Sequence, residues 1–536
     1  MSSPNKERLF IFDTTLRDGA QTQGVDFSVE DKRQIALALD SLGVDYIEGG
    51  WPGANPTDTA FFGDRPALKR ARFTAFGMTK RAGRSAANDP SLAPVLDANV
   101  DSICLVGKTS TYQVKVALEI SLEDNLDNIA RSMEAIIARG CEPLFDAEHF
   151  FDGYKADSDY ALCCLRTAHE AGAKWLVLCD TNGGTMPEDA HRIVSEVKAR
   201  LPGAALGIHA HNDTEQAVAV SLAAIRAGVR QVQGTLNGLG ERCGNANLCS
   251  LLPNLMLKEP FASRFETGVS FENLKQLTHV SRLLDEILNR APNRYAAYVG
   301  SSAFTHKGGL HVSAVAKSPQ TYEHVPPESV GNRRSMPVSS QSGRANVAIQ
   351  IAASNLSLSG HAPDVQVGLL QDVKHREFQG YSYDDAQASF ELLALRRQKA
   401  LPSYFTVDRF SVTVESVRDK DGDLASRAHA AVEMTVAGDR IRNTGGGNGP
   451  VNALDAALRM DLGKYSSYLA DLRLVDYKVR ILTTGTEAVT RVTVESADGK
   501  GNRWSTVGVS ENIVDASFEA LTDSIIYKLY KDGAPV

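Results

Sequence analysis

The 536-residue chain is 43% hydrophobic and 23% charged, enough to bury large cores, and its length predicts two or three domains rather than one. A net charge of −8 and a pI near 5.9 argue against a general nucleic-acid surface or an anionic-membrane surface. No apolar run reaches spanning length, the start MSSPNKERLF lacks a charged-then-apolar signal pattern, and seven cysteines without a CxxC pair read as free thiols, so the expectation is a cytoplasmic protein with no membrane partner.

In chain order, short apolar runs predict strands at 9–15, 46–50, 72–77, 102–107, 143–150, 175–180, 205–212 and 231–238. Between them lie stretches such as 29–42, 126–139 and 188–201, whose apolar residues recur at threes and fours as in amphipathic helices. Eight strands alternating with helices is the count that closes a (β/α)8 TIM barrel, with an open doubly wound sheet as the alternative on pattern alone. Residues 259–403 read as a helical connector: an amphipathic helix at 274–288, a Pro-rich break at 318–327, and a helix again at 385–397. From Phe405 the period changes to two, as in Phe410, Val412, Val414 and then Ala430, Val432, Met434, Val436, which predicts strands joined by a turn at 419–423. Asn452-Ala453-Leu454-Asp455-Ala456 and Asn512-Ile513-Val514-Asp515-Ala516 match at three of five positions, 60 residues apart, and suggest two similar strand-helix halves about a pseudo-twofold. Gly445-Gly446-Gly447-Asn448-Gly449-Pro450 could cradle an anion, although no P-loop Lys-Ser/Thr follows it. The expected domains are therefore a barrel at 1–270, a connector and lid at 271–403, and an α+β domain at 404–536.

If the barrel forms, chemistry belongs at the C-terminal ends of its strands. Those ends carry Asp13-Thr14-Thr15-Leu16-Arg17-Asp18 (first), Asp146-Ala147-Glu148-His149 (fifth), Asp180-Thr181-Asn182 (sixth) and His209-Ala210-His211 (seventh), with Asn237 to Asn245 after the eighth. Asp and Asn favour loop starts for local reasons, so each alone could be a cap or turn residue. The spacing of His209 and His211 is more telling, because residues i and i+2 of a strand face the same side and both imidazoles can converge on one metal ion.

FDTTLRDGAQ (12–21), HAHND (209–213) and NGLGERCGN (237–245), in this order, resemble the metal-dependent barrel enzymes that include the 2-isopropylmalate, homocitrate and citramalate synthases. The resemblance continues through FTHKGGLH (304–311), similar to their lid segment, and covers nearly the whole chain; EGGWPGANP (48–56) and GYSYDDA (380–386) look most like the citramalate branch. It implies metal ligation by Asp18, His209 and His211, with Asn245 as a further ligand or close neighbour and Asp13 supporting them. One carboxylate, two imidazoles and an amide suit Mg²⁺, Mn²⁺ or Zn²⁺. It also implies that Arg17 stabilises the ketone oxygen as it gains charge, that Thr181 and Asp146 bind substrate, and that Glu148 or His311 is the base. In the family the lid histidine and a following tyrosine, here Tyr322, come from the neighbouring subunit, so a homodimer is expected. One departure is Val312-Ser313 where many relatives have Gln-Asp after that histidine, so any role of that acid is absent. The implied reaction joins acetyl-CoA to pyruvate to give (R)-citramalate, with isoleucine as the effector of the C-terminal domain. The alternatives are a 2-isopropylmalate synthase and, from another class, a catalytically silent amino-acid sensor.

Overall fold

Eight parallel strands, Phe10–Asp13 (β1), Tyr46–Gly50 (β2), Arg72–Met78 (β3), Ser102–Lys108 (β4), Glu142–Glu148 (β5), Trp175–Asp180 (β6), Leu206–Ala210 (β7) and Gln231–Gly234 (β8), pair in sequence order in the computed structural model. β1 then pairs with β8, from Phe10↔Gln231 to Asp13↔Gly234, which closes the barrel and excludes the open doubly wound sheet. Residues 6–353, 363–418, 423–485 and 488–536 are described. They divide into two compact units, Met1–Phe304 with Val325–Arg333, and Thr305–His324 with Arg334–Val536.

In the first unit the helices Val29–Leu42 (α1), Pro56–Gly63 (α2), Leu122–Ala138 (α3), Ser158–Glu170 (α4), Pro187–Arg200 (α5), Ala217–Ala227 (α6) and Leu248–Leu257 (α7) follow the strands, except that β3 is followed by two short helical turns, Ala86–Asn88 and Ala93–Leu96. α1 shows the local logic. Ser28 and Asp31 form a reciprocal capping box, Ile35, Ala36, Leu39 and Leu42 line the buried face, and Gly43 ends the helix at φ 103°. A Cβ on Gly43 would also lie 2.7 Å from the Gly268 carbonyl oxygen. Ile35, Leu39 and Leu42 each contribute about 1.5–3 kcal/mol when taken from water. Between strands and helices such apolar side chains form one continuous core, while Phe12, Tyr46, Cys104, Leu144, Trp175, Val177 and Cys179 fill the barrel itself. The amphipathic segment expected at 274–288 is split into Phe271–Leu274 and Leu277–Ile287 (α8).

The second unit begins with Gly309–Lys317 (α9), Arg344–Ala353 (α10), Pro363–Phe378 (α11) and Gln387–Arg397 (α12). Two antiparallel three-stranded sheets follow: Phe405–Arg418 (β9), Leu424–Val436 (β10) and Asp439–Gly447 (β11), then Arg473–Ile481 (β12), Thr490–Ala497 (β13) and Arg503–Ser510 (β14). Each sheet leads into a helix, Pro450–Arg459 (α13) and Ile513–Lys531 (α14). The turn expected at 419–423 lies outside the described residues but for Asp423.

The repeat is real, but its register differs from the sequence match. A Cβ on Gly445 would meet Ala453 O and Ala457 N at 2.5 Å, and one on Gly508 would meet Ala516 O at 2.1 Å and Ala520 N at 3.0 Å. The equivalent positions are thus 63 residues apart, because the repeat is held by a glycine in a strand touching two alanines on the following helix. The same contact revises the glycine run: Gly445–Gly447 is the end of β11, paired with Ala428–Ala430 and packed on α13, and not a free anion-binding loop.

Candidate active site

The turn after β1 is built by Asp13. Its carboxylate accepts from Thr15 N (2.9 Å) and Thr15 Oγ1 (2.7 Å), while the amides of Arg17, Asp18 and Gly19 converge on Thr14 O. Asp13 therefore supports the site by shaping the turn that presents Arg17 and Asp18. Burial, offset in part by these hydrogen bonds, raises its carboxyl to about 7.

His209 is the penultimate residue of β7 and lines the cavity at that strand end, and His211 follows one residue past the strand. The loop after β8 folds back over this end: Asn212 N donates to Gly244 O (2.8 Å), Ala246 N donates to Ala210 O (3.0 Å), and Asn245 bridges to His211. So tight a return requires glycine. A Cβ on Gly244 (φ 88°) would lie 2.0 Å from Gly238 O, and one on Gly240 would lie 2.0 Å from Asn245 Oδ1.

Asp18, His209 and His211, all buried, offer ligand atoms within 4.8 Å of one another. Asp18 Oδ2 lies 3.1 Å from His209 Nε2 and accepts from Asn245 Nδ2 at 2.6 Å. Burial alone would raise the Asp18 carboxyl, but the charge of Arg17 and the contacts with His209 hold it well below the usual carboxylate range. Burial and the neighbouring His209 push His211 down to about 4, so it is a neutral imidazole near pH 7. For His209 burial opposes the proton but Asp18 attracts it, and its pKa is raised. An ionised carboxylate, a neutral imidazole and a second imidazole that exchanges its proton for a cation are what a divalent ion requires. Asn245 Oδ1 is buried with no hydrogen-bond partner among the described residues, an unfilled acceptor in the same cluster. The residues fit a metal ion.

Arg17 rises beside this cluster. Its Nε donates to Glu48 Oε2 at 2.7 Å, and its guanidinium carbon lies 3.9 Å from the centre of the Phe76 ring. Burial works against its charge, yet Glu48 and Asp18 keep it protonated above its ordinary value. Glu48 is fully buried, and desolvation raises it to about 7 despite Arg17. A cavity of about 690 Å³ opens over these groups, lined by Arg17, Asp18, Asp146, Thr181, His209 and His211, with Phe76, Met78, Val106 and Trp51 on its apolar wall.

The other expected residues are placed as follows. Glu148, at the end of β5 and on the cavity wall, pairs with Lys108 Nζ at 2.6 Å. Asp146 is buried, its carboxyl raised by desolvation, and its Oδ1 accepts from Gln233 Nε2 at 3.1 Å. Thr181 Oγ1 accepts from His149 N at 2.8 Å, which leaves its own proton free for another partner. His311 and Tyr322 belong to the second unit, where their rings stack with centroids 4.0 Å apart at 21°. Glu48, Lys108 and Gln233 were not singled out as site residues from the sequence. The alternation Gln231-Val232-Gln233 in a strand of a barrel was a usable signal, since it aims two amides at the interior.

Three family models match in succession: HMGL-like over residues 8–282, homocitrate synthase post-HMGL domain-like over 298–375, and the LeuA allosteric (dimerisation) domain over 386–529. The chain is 46% identical to an (R)-citramalate synthase of Aquifex aeolicus, covering 98% of each chain. It is 48% identical to an (R)-citramalate synthase of Geobacter sulfurreducens, covering 97% of each. Identity to a 2-isopropylmalate synthase of Methanocaldococcus jannaschii is 30%, covering 97% of this chain and 94% of that one.

Proposed function

The chain belongs to the 2-isopropylmalate and homocitrate synthase family and stands within its (R)-citramalate synthase branch, and we propose from this that it condenses acetyl-CoA with pyruvate and water to give (R)-citramalate and CoA. The observation that carries the substrate choice is the full-length identity of 46–48% to citramalate synthases against 30% to isopropylmalate synthases. We assign residues 1–270 to catalysis, 271–403 to a connector and lid, and 404–536 to regulation and dimerisation. No helix among the described residues is long and apolar enough to cross a membrane; a cytoplasmic location is part of the proposal.

Asp18, His209 and His211, with Asn245 beside them, would hold a divalent ion, Mg²⁺, Mn²⁺ or Zn²⁺, whose chemistry is Lewis-acid polarisation of the 2-oxo acid. Arg17, fixed through Nε by Glu48, turns the rest of its guanidinium to the oxygen that gains charge as the carbon-carbon bond forms. Thr181, whose oxygen is already occupied by the His149 amide, donates its proton to the substrate carboxylate. Asp146 is the second polar group offered to substrate, on the same cavity wall. A base removes a methyl proton of acetyl-CoA, and Glu148 or His311 is the group proposed for it. Lys108 Nζ, 2.6 Å from Glu148 Oε2, holds that carboxylate on the cavity wall. Tyr322, stacked on His311, would help set that imidazole's orientation, and in a homodimer the pair would serve the neighbouring subunit. Water then hydrolyses the thioester. Isoleucine is the proposed effector of the C-terminal domain.

A CoA-release assay with pyruvate, 2-oxoisovalerate and 2-oxoglutarate tests the assignment. Pyruvate is expected to exceed 2-oxoisovalerate by at least about tenfold in kcat/KM, since steric rejection of extra methyl groups supplies ~1–3 kcal/mol. A reversed preference would move the chain to isopropylmalate synthesis, and no turnover with any of the three would leave the sensor reading.

A further inference from the structure

Barrel closure places Gln233 of β8 level with His209 of β7, because Gly207↔Gln231 and Ile208↔Val232 are paired across the two strands. Both side chains are buried, and Gln233 Oε1 lies 2.7 Å from His209 Nδ1. The other end of the same amide, Nε2, donates to Asp146 Oδ1 at 3.1 Å. These two contacts have a directional consequence. A carboxylate accepting from Gln233 takes its Nε2, so Oε1 is the atom left facing the imidazole. An amide oxygen can only accept, so His209 must carry its proton on Nδ1. The lone pair is thereby on Nε2, the nitrogen 3.1 Å from Asp18 Oδ2 and 3.2 Å from Asn245 Nδ2. His211 has no such support: its Nδ1 is buried without a hydrogen-bond partner among the described residues.

We propose that Gln233 is a positioning residue of the metal centre: held by Asp146, it fixes the ring plane and tautomer of His209 so that Nε2 is presented to the ion. The inference rests on the reading of Asp18, His209 and His211 as metal ligands. The geometry also makes the two histidines unequal, His209 held in place before the ion arrives and His211 free to orient on it. Gln233 touches neither substrate nor the reacting atoms in this role.

The test is metal affinity, measured calorimetrically by titrating Mn²⁺ into the metal-stripped full-length chain. Gln233→Met keeps the side-chain length and removes the acceptor, and a loss of roughly 10–100-fold in affinity is expected, the usual effect of removing such a partner. Gln233→Glu restores an acceptor for Nδ1–H and is expected to bind more tightly than Gln233→Met. In ¹⁵N-histidine spectra of the Zn²⁺-loaded parent, His209 should be protonated at Nδ1, a signature that a merely space-filling role for Gln233 would not require. Parent and Gln233→Met affinities within about twofold of each other, or His209 bound to metal through Nδ1, would overturn the proposal while leaving the ligand set intact. A parent that binds no divalent ion would overturn the ligand set and this inference together. If Gln233→Met fails to fold, the parent spectrum still decides.

Discussion

Replacing Arg17 by lysine separates charge from geometry at the reacting oxygen. In the native site one guanidinium does three things: Nε donates to Glu48 at 2.7 Å, the plane lies over Phe76 at 3.9 Å, and the remaining nitrogens border the cavity, with Nη1 3.5 Å from Asp18. A lysine ammonium is a single point of charge and cannot serve both Glu48 and the oxygen proposed to gain charge. Glu48 is fully buried with one oxygen, Oε1, unpartnered among the described residues, so the ammonium is drawn to Glu48 and the cavity loses its donor. Losing one preorganised donor to a developing oxyanion raises the barrier by about 2.7–4 kcal/mol, or roughly 10²–10³ in kcat. The pyruvate KM should change by less than about fivefold, because the interaction strengthens chiefly as charge develops. Loss of the planar contact with Phe76 should also cost about 0.5–2 kcal/mol of stability. The assay is steady-state CoA release with pyruvate varied, alongside thermal unfolding of both proteins. A kcat within about fivefold of the parent, or a defect confined to KM, would refute the assignment of Arg17 to the transition state.

Stripping divalent ions should abolish turnover and adding Mg²⁺ or Mn²⁺ should restore it, whereas activity unchanged by a chelator would remove the metal from the mechanism. Glu48 ionises near 7 in the fold, owing to burial, against about 4.3 in an unfolded chain. The folded state therefore holds the extra proton between these values, and this group's contribution to stability falls as pH rises from about 4 to about 7 and is level above. Metal-free Glu48→Gln should lack that fall, so its melting temperature relative to the parent should climb across the window; a decline there would contradict the raised ionisation. Gly508→Val would drive a side chain into the Ala516 carbonyl, 2.1 Å from the Cβ position, and should destabilise the C-terminal sheets and helices by roughly 1–3 kcal/mol or more. Isoleucine inhibition should weaken with it while Mn²⁺ affinity is kept; an unaltered melting profile would show that the glycine contact does not hold the repeat.

Much of the barrel was legible because its signals are local. Each strand is a short apolar run, α1 carries its own cap and stop, and the ranges expected for β2 and β6 coincide with those observed. The residues proposed to hold the metal were legible for a similar reason: His209 and His211 are two apart at one strand end, and Asp18 and Asn245 lie in motifs whose glycines and turn residues mark tight loops. Spacing on one strand and turn chemistry are properties a sequence carries by itself.

Other features were decided only by tertiary structure, because they join residues with no sequence relation. Closure of β8 onto β7 and β1 brings Gln233 to His209 and Asp146, and pairing of β1 with β2 brings Glu48 to Arg17 across 31 positions. The 63-residue register of the C-terminal repeat likewise depends on which glycine meets which helix, and the five-residue match at 60 could not supply that. Periodicity and turn chemistry determine where strands and loops begin, but the partner of a buried polar group is chosen by strand register and barrel closure. Those exist only once the chain has packed.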